Sequence, residues 1–284
     1  MPFASRRCHL CALTLFVMTL FVVAITPSVD VRRDIIFFNT SAAERLLELH
    51  LTAMSSPVPF SRFAGYVQTQ HTETFCGLAT VASLLNALTT DEPATRRPRD
   101  AALLTHAFFT QDGFFAHPHE ARCVQSAIGT RERVMRGGLV LRNVGDLIQC
   151  YTPLTGVRAR VYGVGEAIGQ GHFVSWTVDA LRRGDGVAVN MRHDYARPVA
   201  CRGCSQQGHW SPVVAHASTS DGDFFLVADV ATYALPWAWV RASALYGAMH
   251  TVDPVTYRYR GFVLVERGGP HHVHVNTSLS RAHS

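Results

Sequence analysis

The chain has no lysine: all 26 of its basic residues are arginine, set against 21 acidic ones. Arginine suits fixed, bidentate carboxylate binding, yet a bias spread along a whole chain is explained as well by the base composition of a gene. Runs of basic residues interleaved with aromatics are also missing. With the charge scattered, a formal net charge of +5 leaves no nucleic-acid footprint, and no nucleic-acid partner is expected. No internal repeat is present, which excludes a solenoid or propeller array. Cysteine is scarce, seven in 284 residues. Setting aside Cys8 and Cys11, which fall in an apolar N-terminal stretch, leaves Cys76, Cys123, Cys150, Cys201 and Cys204. Five is odd, so at least one thiol stays free unless a partner chain or a metal takes it.

The length is ample for a real core. Residues 1–30 read as a targeting segment, with Arg6 and Arg7 ahead of an apolar run from Leu10 to Ile25 that Thr26-Pro27 ends. No small-x-small cleavage site follows, so a signal peptide and an uncleaved membrane anchor through residues 8–26 both fit. Either one puts the body of the protein outside the cytosol, in a secretory or periplasmic setting or held at a membrane. Asn39-Thr40-Ser41 and Asn276-Thr277-Ser278 are glycosylation sequons, relevant only in a eukaryotic secretory route.

Ser41-Ala42-Ala43-Glu44 reads as a capping box opening a helix with Leu46, Leu47, Leu49 and Leu51, stopped by Pro57 and Pro59. Leu78 to Leu88 is apolar on nearly every face, the pattern of a buried helix. Residues 89–100 are polar and proline-containing, a loop, and the aromatics of Phe108 to Phe115 around a glycine suggest a packed loop wall. Asn143 to Tyr151 and Val174 to Arg183 read as helices. Beyond Gly184 the pattern becomes short strands: Val187 to Met191, Ser211 to Ala217, Phe224 to Val230 and Gly261 to Val265, with Ser220-Asp221-Gly222-Asp223 turning a hairpin. The expected class is α+β, a helical N-terminal half whose nucleophile helix packs on a C-terminal antiparallel sheet. Residues 268–284 are polar and are expected to be a disordered tail.

Cys76 opens the buried helix. A helix N-terminus carries partial positive charge, which favours a thiolate, the nucleophilic form, although an ordinary buried thiol has the same local look. His209 stands at the mouth of one strand and Asp229 at the end of the next, so the hairpin brings them to neighbouring ends of one sheet. In that place the acid orients the imidazole, the imidazole takes the thiol proton, and Gln70, six residues before Cys76, offers an N–H to the oxyanion. Singly, Asp229 also fits a turn cap and Gln70 a backbone cap. The ordered set is much more specific than any member.

The segments QTQHTETFCGLATVASLLNAL, FFTQDGFF, GHWSP, FFLVADVATYALPWAWV and HTVDPVTYRYRGFVLV, with FFNTSAAERLL ahead of them, resemble the phytochelatin synthases, relatives of papain-like cysteine peptidases. The resemblance covers about Ile35 to Glu266, within a catalytic domain taken as 35–267. It implies a papain-like fold and a γ-glutamylcysteine dipeptidyltransferase. Cys76 would attack the Cys–Gly bond of glutathione, with His209 as base, Asp229 as orienting acid and Gln70 as oxyanion donor. Arg260 and Asp253 would grip the carboxylate and amine of the γ-glutamyl end; without the resemblance they read as a surface charge and a turn residue. No cofactor is implied for the acyl chemistry. Activation is implied by cadmium or zinc bound as glutathione thiolates, and no resident metal ligand is assigned.

Three departures bear on the outcome. The family pattern D-V-x-R-x-K after the acid has Thr232 and Ala234 in place of its basic residues, so the grip on a second glutathione is reduced. The stretch between Asn190 and His209 is long and contains Cys201-Arg202-Gly203-Cys204, which suits a local disulfide, half a metal site or a redox pair. The cysteine-rich C-terminal half of the plant and fungal enzymes does not follow. Short relatives are expected to hydrolyse glutathione readily, because an acyl-enzyme is shared between abundant water and an acceptor that must be bound to compete. The alternatives are a glutathione hydrolase only, a general papain-like peptidase, and a non-enzymatic metal binder using Cys201, Cys204 and His271, His272 and His274.

Overall fold

A computed structural model describes residues 34–53, 58–89, 108–116, 120–165, 167–192 and 207–267. The targeting segment, the expected loop of residues 89–100 beyond Thr89, the Cys201/Cys204 pair and the tail all lie outside the described residues. The elements run, in order, β1 (Ile35–Phe37), α1 (Ser41–Ala53), α2 (Val58–Ala64), α3 (Cys76–Leu88), α4 (Gly113–Ala116), α5 (Ala121–Ile128), α6 (Arg131–Gly137), α7 (Leu141–Thr155), β2 (Arg158–Gly163) and α8 (Gln170–Arg183). Then come β3 (Gly186–Arg192), β4 (Gly208–Thr219), β5 (Gly222–Val227), β6 (Ala238–Arg241), α9 (Ala242–Met249), β7 (Val252–Asp253), β8 (Arg258–Tyr259) and β9 (Gly261–Glu266). Seven of the described strands form one antiparallel sheet in the order β1-β6-β5-β4-β3-β9-β2. The α+β class holds. The division into helical and stranded halves is less clean than the sequence suggests, since β1 joins the sheet from the N-terminal side and α8 and α9 lie among the strands.

Strand β3 shows why the middle of the sheet reads as a continuous apolar run and not as an alternation. Both of its faces are covered. On one face Val187, Val189 and Met191 join a cluster with Phe173 and Leu181 of α8 and Leu245 of α9. On the other lies α3, so close that a Cβ on Gly186 would meet Leu84 at 3.0 Å.

Every residue of α3 is buried, yet its N-cap, Phe75, makes no side-chain capping bond. A missing cap costs about 0.5–2 kcal/mol, whereas each of Leu78, Val81, Leu84, Leu85 and Leu88 contributes about 1.5–3 kcal/mol by leaving water. Burial therefore decides that this helix forms, and its first amides are not used by a cap. Helix α1 differs from the expected capping box by one residue: Thr40 accepts the Ala43 N–H, so the cap precedes Ser41. Of its four leucines, Leu46 is buried while Leu49 and Leu51 are exposed. Helix α1 ends at Ala53, ahead of both prolines, and Pro59 falls in the first turn of the separate short helix α2, while Pro57 lies outside the described residues. The aromatic wall exists, with Phe109 and Phe114 buried and stacked and both in edge-to-face contact with Tyr151.

Cys123 of α5 is joined to Cys150 of α7 by a disulfide, leaving Cys76 as the free cysteine among the described residues. The cysteine count had left the pairing open. No helix among the described residues is long and apolar enough to cross a membrane.

Candidate active site

Four of the six sequence-derived residues converge. Cys76 is the first residue of α3 and almost wholly buried. Its helix start is held down by the segment before α7. Leu139 lies so near that a Cβ on Gly77 would meet it at 3.0 Å, and the Leu139 carbonyl accepts the Trp210 indole N–H at 2.8 Å. Leu139 thus ties the start of α3, by its side chain, to the strand that carries His209, by its carbonyl.

His209 is the second residue of β4. Its Nε2 lies 2.8 Å from Asp229 Oδ1, and its ring also hydrogen-bonds the Cys76 side chain, a contact that falls to Nδ1 if Nε2 serves the acid. Asp229 is fully buried, and Oδ1 also accepts the Ala231 N–H at 2.8 Å. Burial works against a charged imidazole here, but the charge and hydrogen bond of Asp229, with those of Cys76, outweigh it and raise the His209 pKa from 6.5 to about 10. His209 therefore keeps its proton at neutral pH. An imidazolium of this kind stabilises a thiolate beside it and can hand its proton to a departing amine.

A bulge sets this placement. From Ala217↔Phe224 to Ala215↔Leu226 the β4–β5 pairs keep one register, which slips by a residue before Val213↔Val227. The ladder continues with Ala228 N–H donating to the Pro212 carbonyl, so Asp229 falls opposite Ser211, on the face of β4 that bears His209. Without the slip Asp229 would oppose Pro212 and point to the other face. The hairpin was legible from Asp221-Gly222; the bulge was not.

Gln70 is buried, and its backbone N–H donates to the Val230 carbonyl at 2.9 Å. Its side-chain Nε2 donates to Tyr233 Oη at 2.7 Å, while Oε1 is buried with no partner.

Arg260 and Asp253 lie close in the chain's path but do different work. Arg260 is 1% exposed, not a surface charge; its guanidinium donates to Thr251 Oγ1 and the Val252 carbonyl, both at 2.9 Å. It runs beside β4: a Cβ on Gly208 would lie 3.2 Å from Arg260 Nε and 3.6 Å from the Asn190 amide. Asp253 Oδ1 accepts the N–H groups of Val255 and Thr256, the turn geometry that its position before Pro254 suggested.

Three neighbours were missed. Ser211 Oγ lies 3.2 Å from His209 Nε2 and donates to the Trp210 carbonyl; its position two residues after His209 on a strand was the available signal. Asn190 is buried with Oδ1 unpartnered beside Arg260. Tyr233 had no signal in spacing. No group of His, Cys, Asp and Glu among the described residues is arranged to hold a metal.

The arrangement can carry out acyl transfer through a thioester: a thiol on an imidazole, an imidazole on a carboxylate, and a side-chain amide close by. Against known proteins, residues 26–262 match the family model described as phytochelatin synthase. Glutathione gamma-glutamylcysteinyltransferase 1 of Arabidopsis thaliana is 25% identical over 220 residues, covering 75% of this chain and 37% of its own length. The protein of the same name from Triticum aestivum is 24% identical, covering 73% and 36%, and glutathione gamma-glutamylcysteinyltransferase 2 of Arabidopsis thaliana is 23% identical, covering 75% and 40%. The chain spans a little over a third of the length of these relatives. With the match extending through α3 and the β4–β5 hairpin to Arg260 and the first residues of β9, the chain belongs to the phytochelatin synthase family.

Proposed function

We propose that the protein is a glutathione γ-glutamylcysteine dipeptidyltransferase of papain-like design. The observation that carries this is the buried hydrogen-bonded array Cys76, His209 and Asp229 in a chain of this family. The Cys76 sulfur attacks the carbonyl carbon of the Cys–Gly bond. The C–N bond then breaks, His209 gives its proton to the glycine amine, and a γ-Glu-Cys thioester remains on Cys76. Gln70 and the first amides of α3 stabilise the oxyanion. The buried Arg260, with the Asn190 amide beside it, is the cation for the γ-glutamyl carboxylate, and Asp253 keeps its second oxygen for the amine. Heavy-metal ions enter as thiolates of the substrate.

The thioester passes to the amine of a second glutathione or to water. Hydrolysis is the second reading, favoured by a specific feature: Thr232 and Ala234 bring no positive charge to the rim, and the Thr232 hydroxyl is already bonded to Thr69. Incubation with glutathione, with and without cadmium or zinc, and mass analysis of the products decides between them. Formation of (γ-Glu-Cys)2-Gly means transfer, γ-Glu-Cys alone means hydrolysis, and no release of glycine rejects both. The Cys123–Cys150 disulfide supports residence in an oxidising compartment, in line with the N-terminal segment acting as a signal or an anchor through residues 8–26.

A further inference from the structure

The side chain of Gln70 is tethered at one point. Nε2 donates to Tyr233 Oη at 2.7 Å and Oε1 has no partner, so the orientation of a long, rotatable amide rests on a single phenol. Tyr233 is 63% exposed, at the rim of the site, and it interacts electrostatically with both Cys76 and Asp229. Two further links lace the same two segments together: Gln70 N–H to the Val230 carbonyl and Thr69 Oγ1 to Thr232 Oγ1. The segment leaving Asp229 thus sets the imidazole with its first residue and the Gln70 amide with its fifth.

We propose that Tyr233 is a positioning residue for acyl transfer: its phenol oxygen holds one N–H of Gln70 and so aims the other at the carbonyl oxygen that becomes negative when Cys76 attacks. An amide nitrogen has two hydrogens, and only one is spent on the phenol. Partial burial raises the Tyr233 pKa, so the phenol stays neutral and able to serve this bond throughout the working pH range. The inference rests on the reading of Cys76 as an acylated nucleophile and adds to it a residue placed by no sequence pattern.

The test compares wild type, Tyr233→Phe, Gln70→Ala and the double variant in three assays. Acylation of Cys76 by p-nitrophenyl acetate forms an S–C bond and expels p-nitrophenolate through an oxyanion. Glycine release from glutathione does the same with an amide. Alkylation of Cys76 by iodoacetamide forms no oxyanion and reads the thiol and imidazole alone. Tyr233→Phe is expected to slow ester acylation about tenfold, less than the roughly 10²–10³ of losing a donor outright, with alkylation and its pH profile unchanged. In the Gln70→Ala background it is expected to add nothing. Ester acylation at the wild-type rate, an equal slowing of alkylation, or effects that multiply in the double variant would each overturn the proposal. If the wild type is acylated by the ester and releases no glycine, the glutathione reading fails, and the role of Tyr233 is judged on the ester alone.

Discussion

Strand β4 carries two histidine–aspartate pairs with the same contact and opposite character. His209 Nε2 meets Asp229 Oδ1 at 2.8 Å, and seven residues later His216 Nε2 meets Asp223 Oδ1 at 2.8 Å. The first imidazole has its pKa raised to about 10, while the second has it lowered, burial outweighing the pull of Asp223. The Asp229 side chain is fully buried, so nothing screens its charge, whereas that of Asp223 is 34% exposed and shares its field with water. The companions differ too. His209 faces a thiol; the His216 backbone faces His50, another buried imidazole with a lowered pKa. Contact with a carboxylate therefore does not by itself raise a histidine's pKa; the dryness of the acid and the thiol beside the ring decide it.

The largest break in this comparison is Cys76→Ala, expected to abolish glycine release to background while the His216 pair is untouched, as read by product mass. Asp229→Asn against Asp223→Asn is the direct contrast. The first is expected to cut kcat by about 10⁴ through loss of imidazole orientation, the second to leave it within about twofold and cost at most about 1 kcal/mol in denaturant unfolding. Gln70→Ala is expected to lower kcat by about 10²–10³ with alkylation of Cys76 unaltered, separating oxyanion loss from loss of the base. The smallest effect is on stability against pH. A raised His209 pKa contributes stability that is complete below pH 6.5 and lost as pH rises toward 10; the lowered pKa values of His50 and His216 contribute stability present above 6.5 and lost on acidification. Melting curves of wild type and Asp229→Asn are expected to share the acid-side decline and to differ on the alkaline side, which only the wild type shows.

Much of this was legible in the residues. The apolar run of α3 marks a buried helix because no amphipathic surface helix has that pattern, and the Asp221-Gly222 hairpin signal brings His209 and Asp229 to neighbouring ends of one sheet, with Cys76 on the same imidazole. What escaped depends on contacts distant in sequence. Strand β1 is three residues long and exists because it pairs with β6 some two hundred positions later. The Cys123–Cys150 bond, between cysteines 27 positions apart, follows from how α5 and α7 pack; on loop entropy it is worth about 3.5 kcal/mol. Arg260 reads as a surface charge until β9 and β4 fold around it. Tyr233 lies in a stretch with neither helical nor strand period, so its partner could be found only in three dimensions.

The extra residue in β4 has an implication for engineering and for descent. A hairpin whose two ends serve different faces tolerates substitution more readily than it tolerates a change in length. Removing Ala228 would leave the turn and the apolar pattern intact while bringing Asp229 opposite Pro212, on the wrong side of the sheet. Any transplant of the whole hairpin must take the irregularity with it, because with Val214 kept in an unbroken ladder Asp229 would face Pro212.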